Sequence, residues 1–242
     1  MAEISLHYFA PVEQPESLKP LLILLHGGAL SHRMYHTIIP ILIARGFEVI
    51  APDLPGHGSS LRTGPFTFKS ATHLLCSSIQ KLKKGQQQKT LIVGVSLGGQ
   101  VILDLLQHHA DIADAAIVSG ASIHPPDENT HWEMPHMPTD QKWLTLMTED
   151  VNVMGIENAQ GVQQESFAFA FSPSGILPPV LVVVGENDVS MAKRDFEELA
   201  ILATGGNGRS ESRVLEGAWH NHPIDIPQRF ATLIEEWAAK VL

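Results

Sequence analysis

Short, continuous apolar runs recur along this chain, and they limit its fold more than any other feature. They are LLILL over Leu21–Leu25, EVIA over Glu48–Ala51, TLIVG over Thr90–Gly94, AAIVS over Ala115–Ser119 and VLVVVG over Val180–Gly185. A strand with one face in water alternates apolar and polar residues. A strand covered on both faces does not. Stretches of helical period lie between the runs, near residues 32–45, 68–84, 97–109 and 191–203, with another at 227–241. In that last stretch Phe230, Leu233, Ile234, Trp237, Ala238 and Val241 fall on one helical face. Pro227 sits near its first turn, where a missing N–H costs nothing. The alternation predicts an α/β fold: a mostly parallel central sheet with helices on both faces. ISLHYFA is expected to add an edge strand, and Arg213–Leu215 a short last one.

The chain has 242 residues, 44% of them apolar, which suits one domain over 1–242 with a sizeable core. Its net charge of −10, with no Lys/Arg cluster, argues against nucleic-acid partners and anionic membrane surfaces. The apolar runs are too short to cross a bilayer. The opening MAEISLHYFA lacks the basic and apolar segments of a signal peptide. A cytoplasmic protein, monomer or homodimer, is the expectation. Cys76 is the only cysteine, so no internal disulfide or cysteine-based zinc site can form; a buried thiol on a helix is expected.

Residues 121–178 break the pattern. They carry no strand signal and hold much of the aromatic and methionine content. An insertion this long between core strands predicts an inserted cap or lid over a pocket. Trp132, Met137, Trp143 and Phe167 are then candidate substrate contacts. The competing reading is that they pack the insertion's own small core.

In a parallel sheet, ligands collect at the carboxyl ends of strands. HGGAL follows LLILL, PDLPGHGSS follows EVIA, and VSLGG follows TLIVG. ENDVS follows VLVVVG, and RVLEGAW leads to His220. Ser96, Asp188 and His220 therefore sit just past three strands, where one sheet edge would gather them. Serine is a weak nucleophile until a base takes its proton. Histidine suits that task, and a carboxylate fixes its tautomer. Gly94 and Gly98 remove side chains that would clash as strand reverses into helix. Glu186 and His222 compete for the acid and base positions. Glu186 belongs to the strand end, and GAWH favours His220. Asp53, His57 and His26 read as loop braces. The spacing of His124, His131 and His136 does not suggest one helical face, so no metal site is predicted. GGNGRS lacks the setting of a dinucleotide or phosphate loop, and no cofactor is predicted.

The stretch G-V-S-L-G, Gly94 to Gly98, resembles the nucleophile elbow of the α/β-hydrolase superfamily. HGG resembles its oxyanion loop, and DLPGHGSS its D-x-x-G-x-G-x-S loop. GENDVS and GAWH resemble its acid and histidine turns. The likeness runs from residue 20 to the last helix. It implies an α/β-hydrolase fold with an inserted helical cap, and an enzyme. Ser96 would be nucleophile, His220 base and Asp188 acid, with the N–H groups of Gly28 and Leu97 facing an oxyanion. Ser96 stands where the fold's epoxide hydrolases and dehalogenases carry Asp and its dienelactone hydrolases Cys. Leu97 stands where cofactor-free perhydrolases usually have Met. The N-terminal strand set is one strand short. The activity implied is hydrolysis of a small, fairly apolar ester or lactone through an acyl-enzyme. The alternatives are cleavage of a carbon–carbon bond in a β-diketone-like substrate, thioester hydrolysis, or a ligand receptor with a silent triad.

Overall fold

A computed structural model describes residues 3–12, 19–83, 88–127, 141–173, 175, 177–204 and 208–242, without the side chains of Lys142, Trp143 and Thr204. Among the described residues, seven strands form one sheet: β1 (Leu6–Phe9), β2 (Leu21–Leu25), β3 (Glu48–Pro52), β4 (Thr90–Val95), β5 (Ala115–Ser119), β6 (Val180–Gly185) and β7 (Glu211–Leu215). Their order is β1-β3-β2-β4-β5-β6-β7. Only β1 runs antiparallel to its neighbour, pairing Leu6 with Pro52 and Phe9 with Val49. Every residue of β2, β4, β5 and β6 is buried. The edge strands β1 and β7 alternate instead, as one-sided strands do.

Helices cover both faces. On one side lie α2 (Phe68–Lys83), α3 (Leu97–His108) and α6 (Ser190–Thr204), which bury Leu75, Val101 and Leu199 against Ile23, Ile92 and Val182. Cys76 is buried in this layer. On the other side lie α1 (Ile39–Ala44) and α8 (Pro227–Val241). The expected stripe of α8 is fully realised there, with Phe230 and Trp237 at 0% exposure. Each such ring contributes about 1.5–3 kcal/mol by leaving water. The Trp237 indole N–H donates to the Ala116 carbonyl at 3.1 Å, so its polar atom is not stranded.

The helix expected over 32–45 is instead split. A 3-10 turn spans His32–Tyr35, and α1 starts only at Ile39. Pro40 accounts for the break: it sits in the first turn of α1 and cannot donate back to residue 36. Between β5 and β6 the chain leaves the sheet and forms α4 (Gln141–Met154) and α5 (Ile156–Ala168). A short helix α7 (His222–Asp225) precedes α8. Among the described residues, no helix is long and apolar enough to cross a membrane.

Candidate active site

The turn after β4 explains its glycines. Ser96 has φ 55° and ψ −117°, a sparsely populated conformation for a residue with a side chain. It stores on the order of 1–3 kcal/mol, which the surrounding contacts must offset. Its N–H donates to the Ser119 carbonyl at 2.8 Å, joining the turn to the end of β5. A Cβ on Gly94 would lie 2.4 Å from the Gly98 backbone, and a Cβ on Gly98 would lie 2.1 Å from the Leu25 carbonyl oxygen. Strand, turn and helix can close this tightly only without those side chains.

Ser96 faces a cavity of about 440 Å³. His220 lines the same cavity, as do Gly28 and Leu97. Leu97 opens α3, so its N–H is one of the helix's unbonded first donors. The imidazole Nδ1 of His220 lies 2.5 Å from Oδ1 of Asp188. Asp188 also accepts the N–H groups of Gly185 at 3.0 Å and Val189 at 2.8 Å. Burial alone would raise the Asp188 pKa. The His220 hydrogen bond and charge, helped by His222 and the Gly185 N–H, instead hold it below its ordinary value. The carboxylate thus stays ionised in a dry setting. Glu186 does not compete: its Oε2 accepts the Gly217 N–H in an exposed turn.

The helices of the β5–β6 excursion complete the cavity wall through Met147 and Val151 of α4, and Ile156, Val162 and Phe167 of α5. Of the expected substrate contacts, Phe167 is therefore at the cavity. Trp132 and Met137 lie outside the described residues, as does the side chain of Trp143. Polar ties hold the excursion to the sheet edge. Asp150 accepts from the Ser31 hydroxyl at 2.7 Å and from Arg33 at 3.2 Å, and Arg33 also pairs with Glu149. The Asn158 amide donates to the Gly56 carbonyl at 2.6 Å, and Ser166 exchanges hydrogen bonds with buried Gln100. Among the described lining residues none is Lys, Arg, Asp or Glu; His220 is the one ionisable side chain.

The neighbouring loops are braced as their residue types suggested. His26 lies with Nδ1 2.8 Å from the Gly27 carbonyl, and its Nε2 accepts the Leu54 N–H. Asp53 accepts the N–H groups of His32 and Ser59, and the side chains of His32 and His7 complete a hydrogen-bonded knot. The two rings stack with centroids 3.4 Å apart. His124 pairs with Glu198 at the surface, while His131 and His136 lie outside the described residues. Reading the sequence missed His7 and Ser119, which carry no motif.

The comparisons agree with this fold. Residues 20–155 match the family model described as the alpha/beta hydrolase fold. The chain belongs to the α/β-hydrolase fold family. A curated α/β-hydrolase superfamily protein of Gibberella zeae is 26% identical over 168 residues, 69% of this chain and 52% of that protein. A pimeloyl-(acyl-carrier protein) methyl ester esterase of Aromatoleum aromaticum is 33% identical over 104 residues, 43% of this chain and 38% of that protein. The chain thus spans about half or less of the length of these two relatives. Among solved structures, a carboxylesterase from a study of the thaumarchaeon Nitrososphaera gargenis superposes with a TM-score of 0.74 at 20% identity. That match covers 99% of this chain and 96% of that one.

Proposed function

We propose that this α/β-hydrolase cleaves a small, uncharged, fairly apolar ester or lactone, with Ser96 as nucleophile. One observation carries the reading: Ser96 and the Asp188-bound His220 front a single cavity, and among the described residues its walls hold no other ionisable side chain. An ionic substrate would leave its charge unpaired there, at a cost of several kcal/mol. The methyl ester esterase relative is compatible with an ester substrate.

The chemistry runs in two halves. Ser96 Oγ attacks the acyl carbonyl as its proton passes to His220 Nε2. The N–H groups of Gly28 and Leu97 hold the oxyanion. Asp188 keeps Nδ1–H toward itself, so Nε2 is the basic nitrogen, and it stabilises the imidazolium. The tetrahedral adduct collapses, the C–O bond breaks, and His220 returns the proton to the departing alkoxide. For a lactone that alcohol stays tethered to the acyl group. Water then attacks the ester of Ser96, giving its proton to His220, and the second collapse restores the Ser96 hydroxyl and frees the acid. The β5–β6 excursion acts as a cap that keeps bulk water from the acyl group.

A fluorophosphonate probe tests the assignment without knowledge of the substrate. It is expected to label Ser96, with peptide mapping locating the adduct. Folded protein that stays unlabelled, or carries the adduct elsewhere, removes the reading.

A further inference from the structure

The proposed mechanism uses one imidazole beside Asp188, but the structure places two there. Oδ1 belongs to His220. Oδ2, which accepts the Gly185 N–H, also faces Nε2 of His222 at 3.6 Å. That distance is beyond a hydrogen bond. Yet His222 is at 0% exposure, and its Nε2 has no hydrogen-bond partner among the described residues. An unpartnered buried polar atom costs about 1–3 kcal/mol, so its place against a carboxylate calls for a reason. The other ring nitrogen, Nδ1, meets the Ser119 hydroxyl at 2.5 Å. Ser119 is itself buried at the end of β5 and does not line the cavity, so it is no nucleophile. Its carbonyl is the acceptor for the Ser96 N–H.

The tautomer follows from what surrounds the ring. The ionisable groups facing it are Asp188 and His220, and the Phe230 ring packs at 5.9 Å. Burial pushes the His222 pKa down to about 4, so the ring is neutral at neutral pH. A neutral imidazole has one N–H. The Trp219 carbonyl also reaches the ring, but a full carboxylate charge outweighs a carbonyl dipole in a dry site. This favours the tautomer with the N–H on Nε2, facing Asp188 across 3.6 Å, which leaves Nδ1 to accept from the Ser119 hydroxyl.

We propose that Ser119 and His222 form a second Ser–His pair on the far oxygen of Asp188, and that His222 is a positioning residue for the acid. This rests on the serine-hydrolase reading of Ser96, His220 and Asp188. The pair has two effects. Through a charge–dipole contact rather than a hydrogen bond, it biases the carboxylate plane so that Oδ1 stays aligned on His220. Its Nε2–H dipole also draws on the carboxylate's charge, which limits how strongly Asp188 stabilises the His220 imidazolium. Loss of the pair leaves a more basic, less fixed carboxylate. The base then protonates more readily, and the acid limb of reactivity moves to higher pH.

The test is the rate of Ser96 labelling by a fluorophosphonate from pH 5 to 9, in wild type, His222→Leu, Ser119→Ala and His222→Gln. His222→Leu is expected to lower the plateau roughly tenfold, and to move the acid limb up by ~0.5–1 pH unit. Ser119→Ala moves it the same way by less. His222→Gln, which can offer an N–H toward Oδ2, restores both. A packing role alone would alter melting temperature without moving the limb. If His222→Leu does not fold, Ser119→Ala and His222→Gln carry the test. A folded His222→Leu or Ser119→Ala with the wild-type plateau and limb overturns the proposal, as does a His222→Gln as impaired as His222→Leu. Wild-type protein that is not labelled at Ser96 sinks the hydrolase reading, and this proposal with it. Normal wild-type labelling with unchanged variants sinks this proposal alone.

Discussion

A methyl group added to Gly98 would lie 2.1 Å from a backbone oxygen of β2, whereas one added to Gly161 in α5 would meet nothing within 4 Å. The two glycines represent two kinds of wall around one cavity. The sheet edge is backbone packed on backbone, and at that spacing a single residue type fits. The β5–β6 excursion presents side-chain tips such as Met147, Ile156 and Phe167, held on by polar ties from Asp150, Asn158 and Ser166. On the proposed function, reaction geometry calls for the first kind of wall and substrate choice for the second, which can change without disturbing the turn that carries Ser96.

Substitutions on each side can break that contrast. Ser96→Ala is expected to have the largest effect, cutting turnover of a short-chain aryl ester by roughly 10⁴–10⁶-fold with an unchanged circular-dichroism spectrum. Full activity in that variant would place the chemistry elsewhere. Next is Gly98→Ala, where the added carbon meets the backbone of Leu25 and His26 rather than a movable side chain. Urea denaturation should show a loss of upwards of about 3 kcal/mol, or no folded protein at all. A fold of wild-type stability would mean that the sheet edge is less tightly specified than its geometry indicates.

Acid should loosen the sheet edge next. Burial lowers the pKa of His57 to about 3 and of His222 to about 4. In the unfolded chain both take up protons near pH 6.5. The native state resists protonation, so stability is complete above that value and declines as pH falls toward 4 and then 3. The urea midpoint should drop by an amount worth on the order of a few kcal/mol across that window. In His222→Leu the part of the loss above pH 4 should shrink, and an unchanged midpoint in wild type from pH 7 to 4 would contradict the buried neutral rings. The smallest effect is expected of Gly161→Ala. With open space and a helical position, it should stabilise the protein by about 0.5–1 kcal/mol. Destabilisation there would show that the excursion is as closely fitted as the sheet edge.

Much of this molecule was legible in its sequence because the relevant physics is local. Continuous apolar runs marked the buried strands, since a strand covered on both faces leaves few positions for a polar residue, here only the strand ends Thr90 and Ser119. The α8 stripe marked a helix, since a period near 3.6 residues builds one face. Gly94 and Gly98 announced a reversal too tight for side chains. Legibility failed where one residue altered a longer pattern, as Pro40 did in dividing the helix expected over 32–45. It failed again where partners lie far apart along the chain. His7 joins Asp53 only because β1 pairs with β3.

The sequence by itself determined the order of strands and helices and the presence of a serine, a carboxylate and an imidazole after strand ends. Periodicity and turn sterics are written within a few neighbouring residues. Only the tertiary structure decided that His220 takes one oxygen of Asp188 while His222, two residues on, is turned inward to the other and to Ser119. Only it decided that, among the described residues, the cavity is lined by no ionisable side chain besides His220. Those outcomes depend on how side chains from distant segments pack and lose water together, and no short stretch of chain carries that information.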